Sequence, residues 1–172
     1  NALKKAQTIA LALNLPVLAD DSGLCVDAIY GAPGVWSARY AGEHASDTEN
    51  CVKLLRELAS SPLTIEHAIS IHHQSPQPQL LSAARFVCSL ALYDPAQNEF
   101  IQESVLQVEE SCEGFIIPEP RGLNGFGYDP VFYLPAFGRT MAELSMEEKN
   151  RLSHRAKALS KLMDKLDNNT KE

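Results

Sequence analysis

Apolar residues recur at two different periods that alternate along this chain, and the alternation limits the folds open to it. Residues 2–13 carry Leu3, Ala6, Ala10 and Leu13 at helical spacing, and Pro16 ends the helix. Pro16-Val17-Leu18-Ala19 then reads as a short strand, Asp20-Asp21-Ser22-Gly23 as an acidic turn, and residues 24–29 as the next strand. Asp47 is placed to cap a helix over residues 47–59, with Val52, Leu54, Leu55 and Leu58 as its apolar face. Residues 84–93 and 100–108 form two strands joined by Asp94-Pro95-Ala96-Gln97-Asn98, residues 114–117 add another, and Val131-Phe132-Tyr133-Leu134 is a short buried run. Near the carboxyl end Ser145 and Glu148 make a capping box, and Leu152, Ala156, Leu159, Leu162, Met163 and Leu166 line one stripe. Interleaved strands and helices with at least one hairpin predict an α/β fold, a mixed central sheet flanked by helices.

With 172 residues, 45% of them hydrophobic, the chain suits one domain or two small lobes sharing a core. We read residues 1–172 as a single domain, with the Ser-, Pro-, Gln- and His-rich residues 60–82 as a variable surface excursion. A net charge of −7 excludes broad electrostatic binding to nucleic acid or an anionic membrane. A polyphosphate ligand must therefore be met by a local pocket and a cation. Cys25, Cys51, Cys88 and Cys112 lie far apart without a C-x-x-C, so reduced thiols in a cytoplasmic protein are expected. No apolar run reaches membrane-span length. The chain opens on Asn1 in sequence that is already helical, and it reads as amino-terminally truncated.

Three constellations carry chemistry. The adjacent carboxylates Asp20 and Asp21 suit Mg²⁺, which takes one or two carboxylates plus waters and phosphate oxygens; Asp-Asp-Ser-Gly is equally ordinary turn chemistry. In Asn124-Gly125-Phe126-Gly127-Tyr128-Asp129-Pro130, the glycines let backbone approach a flat ligand on which Phe126 can stack; the alternative is a tight turn with Phe126 in the core. The third joins Lys149 to Ser153-His154-Arg155. On a continuous helix His154 lies opposite the Leu152–Leu159–Leu166 stripe, away from the core; if Ser153 caps a fresh helix, His154 and Arg155 stand in its first turn, where N–H groups face an anion or a carbonyl oxygen. A solvated surface pair is the plain alternative. Lys4 and Lys5 can reach phosphate or remain solvated, and His72-His73 has no carboxylate partner at ligand spacing.

Taken in order, these motifs resemble the inosine triphosphate pyrophosphatase family, the nonstandard purine NTP pyrophosphatases. The resemblance runs from Asn1-Ala2-Leu3-Lys4-Lys5-Ala6 through Leu18-Ala19-Asp20-Asp21-Ser22-Gly23-Leu24, Gly31-Ala32-Pro33-Gly34-Val35-Trp36-Ser37-Ala38-Arg39-Tyr40 and Gly125-Phe126-Gly127-Tyr128-Asp129-Pro130 to Ser153-His154-Arg155. It implies an elongated two-lobed α/β subunit that forms a homodimer. It also implies Mg²⁺-dependent (Mn²⁺ as substitute) hydrolysis of ITP, dITP or XTP to monophosphate and pyrophosphate. By the same resemblance Asp21 is the metal-linked general base, with Asp20 beside it at the metal; Ser22 contacts substrate and Lys5 lies on the phosphate side. Phe126, Gly127, Tyr128, Asp129, Lys149, His154 and Arg155 form the nucleotide-binding set. Family members begin with a strand and a Ser/Thr-x-Asn-x-x-Lys loop, then a metal-binding Glu, and neither precedes Asn1 here. The second expectation is therefore a catalytically impaired nucleotide-binding or dimerising relative.

Overall fold

The computed structural model of the chain describes residues 1–64, 78–96 and 105–169. Most of the 60–82 excursion, including His72-His73, lies outside these residues, as do Gln97, Asn98 and the start of the expected 100–108 strand. Helix α1 (Ala2–Leu13) forms as its spacing predicts, burying Ala2, Ala6 and Ala10. It ends where Asn14 turns left-handed and its N–H returns to the Ala10 carbonyl.

Strand β1 (Val17–Val26) corrects the first reading, because it is one continuous strand through the acidic residues rather than two strands and a turn. Asp20 and Ser22 stay extended because their side chains bond to each other and to a distant arginine, and such tertiary partners override turn preference. Strand β2 (Pro33–Gly34) pairs antiparallel with β1, Leu24 opposite Gly34. A side chain at Gly23 would strike the Gly34 carbonyl, so this position needs a bare backbone.

Helix α2 (Asp47–Ser60) is capped by Ser46 rather than Asp47: the Ser46 hydroxyl accepts from the Glu49 N–H, and Glu49 accepts from the Ser46 N–H. That box leaves the Asp47 carboxylate available for another partner. The buried face is Asn50, Cys51, Leu54 and Leu58; Val52, expected on it, is exposed.

Strand β3 (Ser82–Tyr93) is followed by β4 (Val105–Ile116), which covers two of the expected strands in one. Val108, Cys112, Gly114 and Ile116 alternate inward across the polar Glu109-Glu110-Ser111 stretch, so the pleat continues. Strands β5 (Phe132–Leu134) and β6 (Arg139–Thr140) complete a six-stranded sheet of order β2-β1-β3-β4-β5-β6, with β4, β5 and β6 successively antiparallel. Helix α3 (Met146–Leu152) starts at the expected Ser145–Glu148 box, and α4 (His154–Asn169) comes after a break at Ser153. The α/β class predicted from the sequence is thus the architecture found.

The chain divides into two compact units. The first holds α1, α4 and residues 17–22, 87–93 and 105–111 of the long strands. In it, Ala2 and Ala6 pack with Val17, Ala19, Ala91 and Tyr93, while Cys88, Leu90 and Val108 pack with Ala158 and Leu162. Residues of opposite parity on β3 face opposite ways, so α1 and α4 cover opposite faces of these strands. The second unit contains α2, β5, β6 and residues 146–150 of α3; Leu80, Ile117 and Tyr133 form one of its clusters, and the Phe86 and Phe132 rings lie 4.5 Å apart.

Candidate active site

In the first unit the pleat of β1 sends its neighbouring carboxylates to opposite faces. Asp21 points to the α1 side, where the Lys5 ammonium lies 2.5 Å from its Oδ1 and also donates to the Asp20 carbonyl at 3.2 Å. Asp20 points to the α4 side: its Oδ2 accepts from Arg155 Nε at 2.9 Å and from the Cys88 thiol at 3.4 Å, and its Oδ1 accepts from the Ser22 hydroxyl at 2.8 Å. Arg155 also reaches Ser22 Oγ at 3.4 Å. Partial burial works against the charge on Asp20, but the Arg155 guanidinium and the Ser22 hydroxyl outweigh it and hold the carboxyl below its ordinary range. Burial pushes the Cys88 thiol up to about 11, so it serves as a donor rather than a nucleophile.

Magnesium needs one or two carboxylates and takes the rest of its shell from water and phosphate. Asp21, with its side chain partly open to solvent, fits that requirement, whereas both oxygens of Asp20 are already engaged. Among the described residues no group of three or more His, Cys, Asp or Glu gathers as a self-sufficient metal cage.

The start of α4 matches the fresh-helix reading. The Ser153 hydroxyl accepts from the Ala156 N–H at 3.2 Å, and a new helix starts at this break. His154 is consequently buried, in line with Ala158 and Leu162 at intervals of four, while Leu159 and Met163 are exposed. This corrects both the single stripe and the placing of His154 away from the core. Arg155, one residue on, faces Asp20.

In the second unit Gly125 and Gly127 both adopt left-handed backbone, φ 85° and 60°. A side chain at Gly125 would meet the Asp129 carboxylate and Lys149 Nζ, so that position must stay bare. Asp129 is buried; its Oδ2 accepts from the Phe126 N–H at 2.9 Å and pairs with Lys149 Nζ. Lys149 Nζ also sits 4.7 Å from the centre of the Phe126 ring. That ring is 58% exposed, which removes the reading that puts Phe126 in the core. Tyr128 is buried with its hydroxyl donating to the Ser37 carbonyl, and burial raises its pKa well above the ordinary phenol value. Asp47, passed over in the sequence as a helix cap, accepts from the Gly127 N–H at 2.7 Å across 80 residues. No local signal marks it, because its partner is set by the tertiary fold.

The profile of the Ham1 family matches residues 1–165. The chain belongs to the Ham1 family. Over 94% of its length it is 50% identical to a protein named dITP/XTP pyrophosphatase from Geobacillus kaustophilus, covering 69% of that protein. A protein of the same name from Halalkalibacterium halodurans is 47% identical over 97% of the chain and 75% of its own length. Among solved structures, a HAM1 protein from Coxiella burnetii superposes with a TM-score of 0.78 at 41% identity, covering 97% of this chain and 75% of that one. The resemblance to nonstandard purine NTP pyrophosphatases read from the ordered motifs is thereby borne out.

Proposed function

We propose that this Ham1-family chain hydrolyses deaminated purine nucleoside triphosphates (ITP, dITP and XTP) to the monophosphate and pyrophosphate. The observation that carries the reading is 50% identity over nearly the whole chain to a protein named for dITP/XTP pyrophosphatase activity. Cleavage between the α and β phosphates needs an in-line water, a carboxylate to orient or deprotonate it, and cations to neutralise developing charge. Asp21 is the group assigned to the water, because its carboxylate is the one not committed to Arg155. Lys5 lies against it and supplies positive charge on the phosphate side. A bound Mg²⁺, with Mn²⁺ as substitute, would be held by Asp21, water and phosphate oxygens and would supply charge neutralisation there.

In the first unit, donors from Arg155 and His154 suit a 6-oxo acceptor and disfavour adenine, whose amino group would face donors. Phe126 offers its exposed face for stacking, and Lys149 and Asp129 hold it. Ser22 contacts substrate beside Arg155. The reading includes a homodimer, supported by exposed Tyr30, Val35 and Trp36, and a cytoplasmic location, supported by four cysteines of which none is in a disulfide. Pyrophosphate release measured for ITP, XTP, ATP and GTP with Mg²⁺ tests the reading. ITP and XTP are expected to turn over far faster than the others.

A further inference from the structure

Between two left-handed glycines, the backbone around Phe126 has no flanking side chains to pin it, so whatever fixes it must bond to the peptide groups themselves. The Phe126 N–H is fixed by Asp129. The next residue is held from another element altogether. The Gly127 N–H donates to Asp47 Oδ2 at 2.7 Å, and the Gly127 carbonyl accepts from the Cys51 thiol at 3.4 Å. Asp47 and Cys51 are four apart on α2 and so share one face of it. The Ser46–Glu49 box already caps that helix, so the Asp47 carboxylate is not needed there.

We infer that Asp47 and Cys51 are positioning residues for nucleotide binding, clamping both backbone groups of Gly127 and so fixing the Phe126 ring for the purine. The inference deepens the proposed function and rests on Phe126 stacking the base. At 58% exposure Phe126 is not enclosed by packing, so a rigid backbone adds to the hold that Lys149 has on its ring. Burial, and then the carboxylates of Asp47 and Asp129, push the Cys51 thiol up to about 11. It therefore remains a protonated donor at neutral pH. A clamp on a stacking ring acts equally on bound substrate and transition state, so its loss falls on KM rather than kcat.

Steady-state kinetics on ITP with the purified protein test this, using Asp47→Ala, Asp47→Asn, Cys51→Ala and Phe126→Ala, each with a thermal unfolding curve. Asp47→Ala is expected to raise KM by about tenfold with kcat changed less than about threefold, as for loss of one charge-assisted hydrogen bond. Asp47→Asn keeps an acceptor oxygen and restores most of the loss. Cys51→Ala raises KM by roughly threefold, the weaker effect of a thiol donor, and carries the same test should Asp47→Ala not fold. An unchanged KM in Asp47→Ala or Cys51→Ala beside a raised KM in Phe126→Ala overturns the clamp and leaves the function standing. An unchanged KM in Phe126→Ala overturns the stacking assignment and the clamp with it.

Discussion

At Asp21, exchanging the carboxylate for an amide keeps the shape of the side chain and removes the charge proposed to orient water and attract a cation. Asp21→Asn is expected to lower kcat for ITP by about 10²–10⁴-fold, the usual contribution of a positioned acid or base, with nucleotide binding retained by calorimetry. Its neighbour behaves differently. The folded-state pKa of Asp20 lies below its unfolded value, so the Asp20–Arg155 contact stabilises the fold above pH ~4 and is lost as pH falls through the lowered value. Because the pair is partly exposed, the effect is on the order of 0.5 kcal/mol. Urea unfolding should show Asp20→Asn destabilised at pH 7 and level with the parent in strong acid; equal stability at both pH values would contradict the pairing. Asp20-Asp21-Ser22-Gly23 was legible as a candidate metal site, with an ordinary turn as its alternative. Which way each aspartate points was not, since the partner of Asp20 lies 135 residues away.

The elements show the same division between local and distant causes. The bounds of α1 and nearly those of α2 were set by spacing, Pro16 and the Ser-Glu caps, all of them local signals. Strands β1 and β4 outran their expected lengths because polar residues that favour turns found distant partners: Arg155 takes Asp20, Lys161 takes Glu110, and Lys157 takes the Ser111 carbonyl. The break at Ser153 decides what α4 buries. Ser153→Ala should lower stability by about 1 kcal/mol, the typical cost of a lost cap, read as a lower Tm. Leu162, fully buried beside Cys88 and Ala158, should cost about 2–5 kcal/mol when cut to Ala. Exposed Leu159 should cost no more than about 0.5 kcal/mol, although the two look alike in the sequence. Equal costs at the two leucines in denaturant unfolding would restore the single continuous stripe.

For the molecule as a whole, the ion pair Asp21–Lys5 belongs to one compact unit, and the Phe126–Asp129–Lys149 group belongs to the other. The ordered motifs made the family legible because each is short and local, whereas Asp47 stayed hidden because its partner is a backbone N–H far along the chain. The proposed homodimer should sediment at twice the mass of the chain, and Trp36→Glu, placing a charge at an exposed aromatic, should shift it toward the monomer. The activity is tested most directly by pyrophosphate release from ITP and from ATP at equal concentration with Mg²⁺. The proposed chemistry predicts rapid release from ITP and release from ATP slower by at least about 10²-fold, as expected when a site built of donors meets a 6-amino group. Equal rates for the two nucleotides, or ITP binding with no pyrophosphate released, would contradict it.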